Sequence, residues 1–326
     1  MILCLVLLLA ATGQPQTAKN ESDFGYSAKV KTVPEDKNRY ISQGAKRFPN
    51  FIIGGQPVDS VEKWPWQALI YYHTTDGRPF WCGGTLISKR HILTAAHCAI
   101  DMIEEQSLVS MGVISVDRQR SGFQGRTISK ITTHPEYNPS SYKADIAVLE
   151  VDNAFVLSRA VSPVQLLFDD DQVLNSTNSL IATGWGAYDP NLPQKESKEL
   201  REVRLPIIPL PKCITLWEKL KSSLNVDDTV ICAGGEGKGT GPGDSGGPLL
   251  AFHNNTYVQV GVASFGDNEG SGLYYQDKYP GVYTRISAYC DFIKESTENM
   301  ATCRDTITMH YITIIIVAIV FCAQFH

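Results

Sequence analysis

From Ile52 to about Ile293 the chain is a succession of short β-branched and aromatic runs, among them Gln67 to Tyr72, Gly84 to Ser88, Ile146 to Val151 and Tyr257 to Ser264. Gly, Pro and Asn interrupt these runs at close spacing. Segments this short bury a face only by pairing edge to edge, so the pattern points to an all-β sandwich or barrel. A single stretch departs from it. Ile286, Tyr289, Cys290 and Ile293 fall on one face at helical spacing, which predicts a helix over Ser287 to Thr297.

The flanks read differently. Residues 1–13 hold an apolar run, Met1 to Ala11, and Ala11-Thr12-Gly13 offers a signal-peptidase site before Gln14, although no Lys or Arg precedes the run. This is the pattern of a signal peptide, and the run falls short of the roughly 20 residues that span a bilayer. Residues 14–51 are polar and without period, so they bury no core and read as a propeptide. Residues 299–326 form a spacer and an apolar tail, Ile312 to Ala323, with no Lys or Arg after it. Small residues at Ser296 and Ala301, a polar spacer and that tail resemble a glycosylphosphatidylinositol attachment signal. A short transmembrane anchor and a buried tail are the alternatives. Export, to the medium or the outer cell surface, agrees with glycosylation sequons headed by Asn20, Asn175 and Asn254.

A net charge of -5 leaves no broad basic surface, which argues against nucleic acid as a partner. In an exported chain cysteines are first disulfides, and no C-x-x-C pair suggests a metal site. Outside the leader and the tail stand Cys82, Cys98, Cys213, Cys232, Cys290 and Cys303.

The chemistry lies in three segments. In Gly243-Asp244-Ser245-Gly246-Gly247-Pro248 the glycines let backbone N–H groups turn toward one point beside a serine. A serine hydroxyl is a poor nucleophile, so it needs a base within reach and donors for the oxyanion. Thr94-Ala95-Ala96-His97-Cys98 supplies an imidazole, and Ala144-Asp145-Ile146-Ala147-Val148-Leu149 a carboxylate.

In this order, and with Ile52-Ile53-Gly54-Gly55, Trp64-Pro65-Trp66-Gln67, Cys82-Gly83-Gly84-Thr85-Leu86-Ile87, Gly184-Trp185-Gly186 and Pro280-Gly281-Val282-Tyr283, the motifs resemble the chymotrypsin/trypsin family of serine peptidases. The resemblance implies two six-stranded antiparallel β-barrels with the active site between them and a C-terminal helix, over residues 52–298. It implies that Ser245 attacks a peptide carbonyl, that His97 moves its proton and that Asp145 orients the imidazole. Gly243 and Ser245 would supply the oxyanion N–H groups, and an Ile52 amine freed by cleavage would pair with Asp244. Cys82 would pair with Cys98 and Cys213 with Cys232. No cofactor is implied. The partners are protein or peptide substrates and protein inhibitors.

The same resemblance puts the substrate pocket at Gly239, Thr240, Ser264, Phe265, Gly266 and Gly281. Trypsin-like relatives carry an aspartate at the floor, where this chain has Gly239. An open, uncharged slot suits large apolar or aromatic side chains and rejects an unpaired cation. The alternative is that Asp267, Glu269 or Asp277 reaches in to receive a basic side chain. A disulfide common in the family is missing as a pair, with Gly241 at one position and no Cys in Asp267 to Tyr279. The stretch Val113 to Phe123, where relatives hold calcium, offers only Asp117 beside Arg118 and Arg120, so no metal is expected. The rival to catalysis is a binding protein on the same fold, whose mark would be a lost triad member.

Overall fold

The computed structural model describes residues 52–298, apart from 75–76, 117–122, 190, 192–195, 221 and 268–270. The expected leader, propeptide and tail, and Asn20, Asp117, Glu269 and Cys303, lie outside the described residues. After β1 (Gln56–Pro57) come β2 (Gln67–His73), β3 (Pro79–Leu86), β4 (His91–Thr94), β5 (Leu108–Met111), β6 (Gln124–Thr133) and β7 (Ala147–Val151). The last six close a barrel in the order β2-β3-β4-β7-β6-β5. Strand β2 shows why: Ala68, Ile70 and Tyr72 alternate inward, and the Ala68–Met111 register on β5 shuts the ring.

The second half supplies β8 (Gln165–Leu166), β9 (Ser179–Gly184), β10 (Arg201–Ile208), β11 (Val230–Ala233), β12 (Pro248–His253), β13 (Thr256–Phe265) and β14 (Gly281–Arg285). Antiparallel pairing runs β9-β10-β11-β14-β13-β12 and returns to β9, a second closed ring of six, with β1 and β8 added at its margins. Leu205, Leu249, Val260 and Tyr283 fill it together with Ile52. The β12–β13 hairpin turns on Asn254 and Asn255, whose φ values of 48° and 62° suit a two-residue turn of the twist that strands prefer. Asn254, the head of a sequon, is exposed there, as is Asn175 in the second barrel's approach.

Four helices interrupt the strands: α1 (Ala96–Ala99), α2 (Asp171–Ser176), α3 (Leu210–Lys219) and α4 (Cys290–Ser296). The helix expected over Ser287 to Thr297 is a 3₁₀ turn, Ile286–Tyr289, continued by α4, and Ile286, Tyr289 and Ile293 bury against the first barrel. Helix α3 was not expected from the sequence pattern. Its signal is the i, i+3, i+7 set Leu210, Cys213 and Trp217, with Pro211 in the first turn, where a missing N–H costs nothing.

Disulfides join Cys82 to Cys98 and Cys213 to Cys232, spanning 16 and 19 residues. Loops of this size make each bridge worth about 3 kcal/mol in the chain-entropy view. Cys290 is also in a disulfide, with its partner outside the described residues.

Candidate active site

His97 is the second residue of α1, which follows the extended Ala95 that leaves β4. The bridge from Cys98 to Cys82 ties this short helix to β3. Asp145 sits in a tight turn before β7, where Ala144 holds φ 53° and the Ile146 N–H bonds the Ala144 carbonyl at 2.9 Å. A non-glycine residue in that region is strained, and a surrounding structure must hold it. Here the second barrel does so. The Asp145 carboxylate accepts from the His97 backbone N–H at 2.8 Å, His97 Nδ1 at 2.7 Å and Ser264 Oγ at 2.5 Å, and Thr284 Oγ1 donates to the Asp145 carbonyl at 2.8 Å. Asp145 is fully buried, so these donors replace its water. With Nδ1 bound to a carboxylate, Nε2 is the ring nitrogen left to exchange a proton, with the disulfide sulfur of Cys98 3.7 Å from it. Thr284 was not singled out from the sequence, and Ser264 was assigned only to the pocket.

Ser245 lies on a turn that only glycines allow. Gly243 and Gly246 hold φ 91° and 76°, and a Cβ on Gly246 would fall 2.1 Å from Thr94 Oγ1 and 2.5 Å from the Gly83 carbonyl. That contact seats the turn against the strand leading to His97. The Gly83 N–H bonds the Ser245 carbonyl at 2.8 Å, completing the attachment. Among the described residues the Gly243 and Ser245 N–H groups donate to no acceptor. They are free to meet an oxyanion.

Asp244 is buried behind this turn. Its carboxylate accepts from the Gly186 N–H at 2.8 Å and the Gly241 N–H at 3.0 Å. The Gly184-Trp185-Gly186 motif has a physical cause here, since a Cβ on Gly184 or Gly186 would come within 2.2 Å or 2.5 Å of the Asp244 carboxylate. Burial pushes the Asp244 carboxyl up to about 7, against the pull of the two N–H groups. Glu196, which the sequence reading passed over, is partly buried at the other side of Gly243. A Cβ on Gly243 would stand 3.2 Å from both Glu196 Oε1 and Trp81 Nε1. Its carboxyl is also raised to about 7, by burial and then by Asp244.

A pH dependence follows. Both carboxyls titrate higher in the folded chain than in the unfolded one, so from about pH 4 to pH 7 the folded state holds protons that the unfolded state releases. Stability of the uncut chain should therefore fall as pH rises through that window and lose this contribution above it. The check is the urea midpoint at pH 5 and pH 8 for the uncut chain and for Asp244→Asn. The drop should be smaller in the variant. An equal drop in both would assign the effect elsewhere.

Beside Ser245 a cavity is lined by Thr240, Gly241, Asp244, Ala263, Ser264, Phe265 and Gly266. Four of the expected pocket residues are thus in place, and Gly266 leaves its wall open, its nearest neighbour to a Cβ being Gly281 Cα at 3.9 Å. Gly239 and Gly281 do not face this space. The Gln276 side chain stands in front of them, with its amide carbon and oxygen at 1.9 and 2.0 Å from where a Gly239 Cβ would be. The expectation of a bare glycine floor therefore needs correction. The loop side chain that fills the space beside Gly239 is the amide of Gln276, which no sequence motif singled out.

Comparison with known proteins agrees with this geometry. The Trypsin family model matches residues 52–293. The chain is 36% identical over 251 residues to a venom serine protease, Bi-VSP, of Bombus ignitus, covering 74% of this chain and 66% of that protein. It is 36% identical over 248 residues to a tryptase of Mus musculus, covering 74% of this chain and 87% of the other. A venom protease of Bombus pensylvanicus is 34% identical over 255 residues, covering 74% of this chain and 96% of its own length. Two closed barrels, a buried Asp145–His97 pair beside the Ser245 turn and these matches lead to one conclusion: the chain belongs to the trypsin family of serine endopeptidases.

Proposed function

We propose that the chain is an exported endopeptidase that cleaves protein substrates through an acyl-enzyme on Ser245, with preference for large apolar or aromatic residues before the scissile bond. The observation that carries the reaction is the pair of half-buried His97 with buried Asp145 at 2.7 Å, beside a serine turn whose two N–H groups are unengaged among the described residues. His97 Nε2 takes the Ser245 proton as Oγ attacks the carbonyl carbon, and charge develops on the carbonyl oxygen facing Gly243 and Ser245. The imidazolium is stabilised by Asp145 and then protonates the leaving amine, so the peptide bond breaks and an ester remains on Ser245. Water repeats the steps in reverse roles. Exposed sequon residues Asn175 and Asn254 support export, and the apolar ending reads as a lipid-anchor signal.

The preference rests on a cavity lining whose one carboxylate, Asp244, already accepts from the Gly186 and Gly241 N–H groups. Burying a Lys or Arg there would strip its water without offering it an unengaged carboxylate. A fluorogenic peptide library, offered to the enzyme cut before Ile52, should show highest kcat/KM with aromatic or large aliphatic residues before the bond. A library led by Arg or Lys would overturn the preference, and absence of any cleavage by an enzyme with an intact Ile52 terminus would overturn the catalytic reading.

A further inference from the structure

Three glycines from two segments, Gly234 and Gly239 after β11 and Gly281 at the start of β14, leave one space, and a single side chain fills it. A Cβ on Gly239 would meet the Gln276 amide at 1.9–2.2 Å, one on Gly234 would meet Gln276 Cβ at 2.7 Å, and one on Gly281 would meet Gln276 Oε1 at 3.1 Å. Gln276 is 3% exposed, so its amide has left water entirely. One end is accounted for, since Nε2 donates to the Thr240 carbonyl at 2.6 Å. That bond also fixes which end is which, because a carbonyl accepts and cannot donate. The other end, Oε1, is buried with no hydrogen-bond donor. A buried amide oxygen without a partner is costly and uncommon, and it marks a place where a donor is missing. Thr240 itself lines the cavity beside Ser245, and its hydroxyl is taken up by Tyr283 at 2.9 Å.

We propose that Gln276 is the specificity residue at the base of the substrate pocket, and that its unpaired Oε1 receives a neutral hydrogen-bond donor at the tip of a flat side chain, which is the chemistry of tyrosine. This rests on the reading of the cavity as the pocket for the residue before the scissile bond, and it narrows that reading from aromatic residues in general to one of them. Gly266 leaves its side of the cavity open, and a ring entering there would direct its far end toward the amide. Phenylalanine fits the same slot but leaves Oε1 without a partner. Lysine or arginine would bring a cation to a dipole where a charge is needed. Gln276 thus stands in from a distant loop for the side chain that Gly239 lacks, and it makes the floor polar without making it charged.

The isosteric substitution Gln276→Glu gives the decisive test, because it changes charge and leaves the cradle of glycines undisturbed. The full-length chain, cut before Ile52, is assayed with paired peptides that differ only in Tyr, Phe or Arg before the bond. Active enzyme is counted by phosphonate titration, and each result is read as a ratio of kcat/KM values, so loss of folded protein does not enter. The wild type should favour Tyr over Phe by about 10-fold, the scale of one hydrogen bond. Gln276→Leu should bring that ratio to about one. Gln276→Glu at pH 8.5 should raise Arg relative to Phe by about 100-fold or more, as a buried carboxylate gains a cation. If Gln276→Leu leaves the Tyr to Phe ratio unchanged, or Gln276→Glu leaves the Arg to Phe ratio unchanged, Gln276 is not the floor. If the wild type favours Arg while both variants still shift their ratios, the aromatic preference falls and the assignment of Gln276 stands.

Discussion

Ser245→Ala should reduce kcat/KM by at least about 10⁴-fold and leave folding intact, since loss of the nucleophile in a triad enzyme costs up to about 10⁶. The case for an intact fold lies in what Ser245 does structurally. Its carbonyl, not its side chain, accepts from Gly83, and the glycines on either side set the turn. Removing Oγ therefore removes no contact that seats the turn against Thr94 and Ala95. His97 stays bound to Asp145, and Asp145 keeps its donors from Ser264 and Thr284. A phosphonate probe should label the wild type and not the variant, with the two melting within about 2 °C, as expected for a change that leaves burial nearly unaltered. Equal labelling would place the nucleophile at another serine. A collapse in melting temperature would mean that Oγ carries a packing role that the surrounding bonds do not show.

Cleavage between Phe51 and Ile52 should raise activity by roughly 10²- to 10⁴-fold, the equivalent of the 3–5 kcal/mol at stake in a buried ion pair. Ile52 is fully buried in the uncut chain, with φ 30°, a value that a β-branched residue tolerates poorly. Cleavage would convert its amide to an amine, the group expected to pair with the raised carboxyl of Asp244. The next residues dock on the pocket: Gly239 N–H bonds the Ile53 carbonyl at 3.0 Å, and Gly54 packs so closely on the Gly237 carbonyl that a Cβ would fall 2.0 Å from it. Seating the new terminus should therefore order both the oxyanion turn and the pocket floor. The residue before the cut is Phe51, which a protease selective for basic residues does not choose. If the pocket takes aromatic residues as proposed, the enzyme is expected to activate itself. Purified Ser245→Ala chain mixed with a trace of active enzyme should be clipped before Ile52, and Phe51→Arg should resist this and yield to trypsin. A mature terminus other than Ile52, with a preference for Arg substrates, would sink the scheme.

Much of the site was legible before any coordinates. The Gly243 to Pro248 turn, the His97 segment and the Asp145 segment each encode a local backbone requirement, and such requirements are written in adjacent residues. The disulfides from Cys82 to Cys98 and from Cys213 to Cys232 match the pairing that the family resemblance implied. Helix α3 was readable and was passed over, because its two buried positions, Cys213 and Trp217, and the partly buried Leu210 sit among Lys, Thr and Glu in a region dominated by strand patterns. Glu196 carried no signal at all. A lone glutamate in a polar loop reads as solvated, and only the approach of Gly243, Trp81 and Asp244 gives it a desolvated carboxyl.

The sequence by itself determined the all-β character, the order of the catalytic residues and the glycines that the Ser245 turn demands, because periodicity and φ > 0 are properties of neighbours along the chain. It did not determine what closes the pocket. Gly234 and Gly239 follow β11, while Gln276 and Gly281 lie before and at the start of β14, and no local pattern ties the amide of one stretch to the missing side chains of the other. Barrel closure does, by pairing β11 with β14 and bringing the loop between β13 and β14 over Gly239. The same closure brings Ser264 and Thr284 of the second barrel to Asp145 of the first. Local backbone geometry is a short-range property and can be read in order; side chains that fill a shared space are matched only once distant strands have met.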